Sequence, residues 1–569
     1  MFLVGVSKIK FSPFLPNSAM LGYGLSSHIM KKPGTLFIRA IWIENDSGKC
    51  CIVVCELGFI TLSIQQGVLN RLKSDYPHFQ LNEHNLMITA QHTHSGPSGY
   101  SYYPLYNFPT PGFSEKIYKE ILEAIIKAIV AAEGNKKEAQ ISYHQGEFEL
   151  EKEVAFQRSM HAYNANPDIP EPLTLQTLHK GVNRQMQLLN FTGKDGKPLA
   201  SINWFGVHTT SLANDLHEIN ADNKGYAARF LEQHFEQINP DYVGVFAQGI
   251  CGDVSPRFRY KKNIFKWQRG YWYGKYDDDY KSAEYNGRLQ YEKALDLLAS
   301  SGVAVNGNIK CKIWWVDFTD VKCNPKYTNG VEGASTGPAC MGLAFFRGAL
   351  FDGPGIPGFL VPIARKWIEQ VKRKELRESG NSPEVIHKYK TQGVKHIFFE
   401  THAGRVLGFE KLDKLIVLSF IDESVRALKM YYQKIASKRK VLYTPKVLPL
   451  QLFMIGDLAI AAFPFEITVI AGKRLTQSIK EKLAHCGIRE VILAPYANGY
   501  SGYITTFEEY QVQMYEGGHT VFGQWSLAAL QTLFDSLCEA MTNDNYILKQ
   551  AAPPKVTLEE MNEFPFYRK

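Results

Sequence analysis

The sequence predicts a mixed α/β protein on three observations. Strand-like and helix-like segments alternate through the first half, the alternation resumes after Val441, and side chains capable of chemistry follow directly on strand-like runs. Leu36 to Trp42 and Cys51 to Glu56 read as strands, and Leu62 to Leu72 as an amphipathic helix. Asn85 to Ala90 reads as a strand that runs straight into QHTHSGPSGY. Phe113 to Ala132 carries Ile117, Ile121, Ile125 and Ile129 at helical spacing, which predicts a helix. Ala200 to Val207 is a further strand leading into His208, and Asp222 to Phe235 a further helix. Open α/β sheets bind ligands beyond strand ends, so His92, His94 and His208 stand where chemistry is expected.

Two stretches break the pattern. From Arg257 to Tyr285, aromatic residues crowd among Lys, Arg and Asp, and the stretch reads as a loop insertion rather than a core element. Met341 to Pro362 is apolar but punctuated by Gly and Pro, so one long helix is excluded. It reads as a buried loop or as an exposed apolar lip that docks on lipid.

The net charge of +8 over 569 residues is modest and mostly interleaved, so nucleic-acid binding is not demanded. The basic runs Arg365 to Lys374 and Lys434 to Lys440 read as solvated helix faces, or as attraction to an anionic membrane surface. No stretch is long and apolar enough to span a bilayer. The first residues place Lys8 and Lys10 after the apolar start, the reverse of a secretory signal. Nine cysteines preclude complete disulfide pairing and favour a reducing compartment. The expected location is therefore cytoplasmic, or outside the cell by a route without a cleaved signal, and peripheral to membranes.

His92-Thr93-His94 is the strongest local signal. Side chains two apart on a strand share a face, which would aim both imidazoles into one cavity. A catalytic zinc takes three or four N/O ligands and keeps a position open, and His208 is an obvious third candidate. A His-x-His pair alone is common, and each histidine taken singly reads as a satisfied core residue. Glu466 lies inside the apolar run Ala462-Phe-Pro-Phe-Glu-Ile-Thr468, where a charge is costly unless it is paired or ligates a metal. Ser255, in Gly252-Asp-Val-Ser-Pro256, lacks the surroundings of a nucleophile elbow.

Six ordered blocks converge: ITAQHTHSGPSGY, FQRSMHAYNANP, INWFGVHTTS with DNKGYAARFLE, FAQGICGDVSP, PFEITVIAG, and YANGYSGYITTFEEYQVQMYEGG. Together they resemble the catalytic domain of the neutral ceramidase family, from Leu21-Gly-Tyr23 to Tyr515-Glu-Gly-Gly518. The resemblance implies a large mixed-sheet zinc hydrolase domain over residues 1–545, with insertions near 257–290 and 341–400 and a tail over 546–569. The immunoglobulin-like domain that commonly follows in the family is not expected here.

The resemblance further implies one zinc ion held by His92, His208, Glu466 and Tyr503, with His94 and Arg158 beside it. Ser255 falls where the family has a serine important for activity, and Tyr515 where a tyrosine lines the substrate pocket. The implied reaction is hydrolysis of the N-acyl bond of ceramide to sphingosine and a fatty acid, on lipid drawn from a membrane surface. Water activated by zinc is favoured over Ser255 as nucleophile, because no general base adjoins the serine. The general acid stays open among His94, Tyr503 and Arg158. Two departures concern rim loops: AFFRGALFDGPG lacks the usual acidic character, and Arg257 follows GDVSP where Asn is usual. These leave open an amidase for another N-acyl lipid or N-acyl amino acid, or a lipid-binding homologue without catalysis.

Overall fold

A strand with apolar side chains on both faces needs a layer packed on each. Cys50, Ile52 and Val54 alternate with Cys51, Val53 and Cys55 in this way along Gly48–Cys55, and the two sets lie in different cores. The computed structural model describes residues 1–24, 28–107, 112–262, 270–349, 351–353, 355–410, 429–437 and 441–564, and in it helices, sheet, sheet and helices stack as layers.

The larger sheet has nine strands. Its path runs Leu86–Ala90, Gly48–Cys55, Leu36–Asn45, Phe2–Phe11, Lys137–Glu147, Gln185–Gly193, Pro198–Phe205 and Val243–Gln248, with Val303–Val305 paired on Lys137–Glu147. The outermost pairs at both ends of this path are parallel and the other pairs are antiparallel, so the sheet is mixed. The four-stranded sheet runs Ile309–Asp317, Val447–Ile455, Leu458–Ala462 and Glu490–Ala494. Ile41, Ile43, Ile52 and Ile202 of the first sheet meet Phe453, Ile455, Ile460 and Ile492 of the second. The outer face of the first sheet is covered by the helices Leu62–Asp75, Glu115–Gly134, Asp222–Phe235 and Asp279–Ala299. The outer face of the second is covered by Val469–Leu483 and Ser526–Thr542.

Helix starts follow capping chemistry. Thr61 and Ser114 accept hydrogen bonds from the backbone N–H groups of Ile64 and Ile117, so Phe113, read from its periodicity as helical, lies before the cap. Asp222–Phe235 has the bounds its pattern predicts. No helix among the described residues is long and apolar enough to cross a membrane.

The loop reading of Arg257 to Tyr285 needs correction. Arg259–Lys262 and Gly270–Tyr273 form an antiparallel hairpin, and Asp279 already begins a long helix capped by Asp278. The aromatic residues that looked loop-like are strand formers: Trp272 stacks on Phe351 at 3.9 Å between ring centroids. Phe265 and Trp267 lie outside the described residues, as do Lys438, Arg439 and Lys440 of the second basic run. The segment Met341 to Pro362 is buried in one part and exposed in another. Leu343, Phe351 and Asp352 are buried, whereas Phe359 and Leu360 are exposed; residues 350 and 354 lie outside the described set. The stretch from Ala551 to Phe564 is packed: Ala551 N–H donates to Trp315 O, Val556 N–H to Gln66, and Phe564 is buried.

Candidate metal centre

The larger sheet curls until its two edge strands approach one another. Gln248, the last residue of one, donates from its side chain to Gln91 O and Val207 O, tying together the segments that carry His92 and His208. The strand ends at Ala90, so strand alternation does not account for the His92/His94 pair. His92 instead has φ of 71°, in the left-handed region that costs a non-glycine residue about 1–2 kcal/mol. That turn folds His94 back until the two Nε2 atoms lie 3.1 Å apart. Gly22 makes room for the second ring: its φ is 107°, and a Cβ there would stand 2.4 Å from His94 Cγ.

Each of the two outer imidazoles is oriented through Nδ1. His92 Nδ1 donates to Gly58 O at 2.6 Å, and His208 Nδ1 to Cys251 O and Val254 O at 2.8 and 3.0 Å. Both Nε2 atoms therefore face inward, the arrangement that outer hydrogen bonds impose on metal-binding histidines. His92 Nε2 stands 3.5 Å from Glu466 Oε1, and His208 Nε2 3.2 Å from Glu466 Oε2. Burial alone would raise the Glu466 carboxyl, but His92, His208 and Tyr500 together hold it well below its usual range. Burial lowers His92 to about 4 and holds His94 well below its usual range, whereas His208, against burial, is pushed up to about 10 by Cys251 and Glu466.

Ligand atoms of His92, His94 and His208 all lie within 4.8 Å of one another, and this buried group could hold a metal ion. The residues fit such an ion on two counts. His94 Nδ1 and His208 Nε2 are buried without a hydrogen-bond partner. Imidazoles converging beside a buried carboxylate are also the N/O donor set that such an ion takes.

Tyr503 and Glu466 are register partners in a short parallel bridge between Tyr503–Ile504 and Glu466–Ile467, which puts phenol and carboxylate side by side. Burial and then Glu466 push the Tyr503 phenol well above its ordinary range, with Arg158 pulling the other way. Arg158 is fully engaged. Its Nη2 donates to Tyr503 Oη at 3.1 Å and Gly252 O at 2.7 Å, its Nη1 to Asp352 at 2.8 Å and its Nε to Glu516 at 2.9 Å. Tyr515 packs its ring against that guanidinium, 5.4 Å from ring centroid to Cζ, and edge-on to Tyr503. Ser255 Oγ donates to Asp352 Oδ1 at 2.8 Å and accepts from Arg257 N–H; none of its hydrogen bonds involves an imidazole.

The residues singled out in the sequence thus gather in one buried place, and four further residues join them. Asp352 receives Arg158, Ser255 and Thr210 together. Glu516 binds Arg158 and Ser159. Tyr496, with φ of 58°, stacks on His92 at 4.3 Å and donates to Glu466, as does Tyr500. A signal for Asp352 was available, since it is an acid in an apolar stretch as Glu466 is. The unusual Arg257 also finds its reason in the insertion: it is buried, donates to Thr210 O, and faces Asp279 at 3.9 Å and Trp272 O at 3.5 Å.

Comparison with known proteins gives the family of the chain. Residues 2–403 and 423–532 match the family model described as neutral/alkaline non-lysosomal ceramidase, N-terminal. The chain is 31% identical over 563 residues to a neutral ceramidase of Pseudomonas aeruginosa, covering 98% of this chain and 75% of that protein. It is 29% identical over 544 residues to neutral ceramidase B of Dictyostelium discoideum, covering 91% and 68%. A crystal structure of the Pseudomonas aeruginosa neutral ceramidase superposes with a TM-score of 0.76 at 28% identity, covering 97% of this chain and 76% of that one. A ceramidase complexed with C2 superposes with a TM-score of 0.78 at 29% identity, covering 97% and 77%.

Proposed function

We propose that this chain, which belongs to the neutral/alkaline non-lysosomal ceramidase family, hydrolyses the N-acyl amide bond of ceramide to sphingosine and a free fatty acid, using one zinc ion and taking its substrate from a membrane surface. The observation that carries this reading is the buried convergence of His92 Nε2 and His208 Nε2 on the two oxygens of Glu466, with Tyr503 alongside. His92, His208, Glu466 and Tyr503 would hold the ion, which would supply a Lewis acid for the scissile carbonyl and acidify water at neutral pH.

The protein's own groups account for the remaining steps. Arg158 has its guanidinium in four hydrogen bonds and, against the opposing effect of burial, is kept charged by the carboxylates of Glu516 and Asp352. It therefore holds Tyr503 and favours negative charge developing on the carbonyl oxygen, and it is not the acid. Protonation of the leaving nitrogen falls to His94, whose Nδ1 is unengaged and which would first take up the proton released by the attacking water, or to Tyr503. Ser255, whose hydroxyl donates to Asp352 and meets no imidazole, acts by holding the carboxylate that positions Arg158.

The test is turnover of a fluorescent ceramide with metal analysis. Purified protein should carry about one zinc per chain and lose activity to a chelator. His92→Ala should abolish hydrolysis while the fold persists. Full activity without metal, or unaltered turnover by His92→Ala, rejects the reading. A panel of N-acyl amino acids and simple esters run alongside separates a ceramidase from an amidase of other N-acyl amines.

A further inference from the structure

We propose that the turn Gly358–Leu360 and the outward side of the helix Val361–Glu378 form the surface that seats the protein on an anionic lipid bilayer. This rests on the reading above, because a ceramide must leave a bilayer to reach the buried centre.

Amphipathic helices at a protein surface ordinarily turn their apolar side inward, and Val361 and Ile368 do so, packing with Leu343. The outward side is apolar as well at its first turns. Phe359 is 68% exposed, Ile363 66%, Trp367 44% and Leu360 39%. Positions 359, 363 and 367 recur at helical spacing and make one stripe. Trp367 is held in place by donation from its indole N–H to Leu407 O and by stacking on Phe409. Beside and beyond the stripe, Lys366, Arg373, Lys374 and Arg377 are exposed on the same outward side, with Glu378 the exposed acid at the helix end, 3.9 Å from Lys374.

An apolar end with a cationic flank is the composition of helices that lie in a lipid interface. The cations favour an anionic bilayer as the occupant, since a purely apolar partner would leave them unmatched. Packing links this surface to the centre, because Val361 and Ile368 meet Leu343, two residues before Phe345. Asp352, which receives Arg158 and Ser255, belongs to the same segment, and Phe345 packs on Tyr515 and His519.

Vesicle flotation tests the surface, comparing phosphatidylcholine alone with phosphatidylcholine containing phosphatidylserine, at low and high salt. Hydrolysis of a short-chain, water-soluble ceramide is measured in parallel. The full chain should float with the anionic vesicles at low salt. Each basic residue near such a surface contributes about 1 kcal/mol, or about fivefold. Lys366→Gln with Arg373→Gln should therefore weaken binding on the order of 25-fold. Phe359→Asp with Ile363→Asp should abolish flotation, and both pairs should keep the melting temperature and short-chain turnover. The proposal is overturned if the Asp pair floats like the parent, if the parent binds both vesicle types equally without salt dependence, or if the Asp pair loses short-chain turnover in step with flotation. It is also overturned if sedimentation shows that the stripe joins two copies of the chain. Failure of the ceramide reading would show separately, as a parent that does not hydrolyse the soluble substrate.

Discussion

Asp352→Asn probes whether the serine near the centre attacks substrate or only supports the wall. Three donors converge on this buried carboxylate: Arg158 Nη1 on Oδ2, and Ser255 Oγ and Thr210 Oγ1 on Oδ1, each at 2.8 Å. An amide of the same shape keeps one acceptor oxygen. If that oxygen faces Arg158, the NH2 group meets two hydroxyls that now donate. If it is flipped, a donor faces a buried guanidinium left with Glu516 as its remaining carboxylate. A charge-assisted bond of about 1.5–3 kcal/mol becomes a neutral one of about 1 kcal/mol, and a buried donor is stranded at about 1–3 kcal/mol. The expected loss is about 2–3 kcal/mol in urea unfolding. Because the same guanidinium holds Tyr503 Oη, kcat/KM should fall on the order of 50- to 100-fold.

Ser255→Ala removes one of the three donors, so it should cost about 1 kcal/mol and no more than about tenfold in kcat/KM. In the Asp352→Asn background it should cost almost nothing, a coupling of about 1 kcal/mol in the double-mutant cycle. The assay is ceramide turnover beside urea unfolding for the four proteins. Ser255→Ala alone reducing turnover by more than about a thousandfold with the fold intact would refute the positioning role and restore Ser255 as nucleophile.

Two further outcomes are expected. Gly22→Ala combines a left-handed φ with a methyl 2.4 Å from His94 Cγ, so it should destabilise the fold by about 2–4 kcal/mol and reduce turnover at least about tenfold; parental melting and activity would show that His94 needs no such room. His28 is held at about 3 by burial and then by His217. Its folded value is depressed, so its contribution is complete above the unfolded value near 6.5 and is lost as pH falls from there towards 3. Urea unfolding at several pH values should show the parent losing about 1.4 kcal/mol per pH unit relative to His28→Phe below pH 6.5; a gap independent of pH would contradict this.

Local windows of sequence were enough for much of the fold. The helix Asp222–Phe235 and the strands around Leu36, Cys51 and Pro198 follow from periodicity, because alternation and helical spacing are properties of a few consecutive residues. The hairpin after Arg257 was missed because its register depends on partners across the turn, and Trp272 is ordered by Phe351 from far along the chain. Glu466 was legible by itself, since the cost of burying a carboxylate marks it wherever it stands. Asp352 carried the same mark but was hidden by the glycines and prolines around it.

Tyr503 came from family resemblance alone, and its physical reason is tertiary: a bridge of two residues sets it beside Glu466. His92 and His94 were singled out from their spacing, yet they meet through a left-handed turn that no strand rule contains. The sequence by itself determined which side chains are costly to bury and where helices and strands run, because those depend on local composition. Only the tertiary structure decided that His92, His208, Glu466 and Arg158 share one point. Their convergence depends on the curl of the larger sheet and the packing of a second sheet against it, and both are set by contacts between residues distant in sequence.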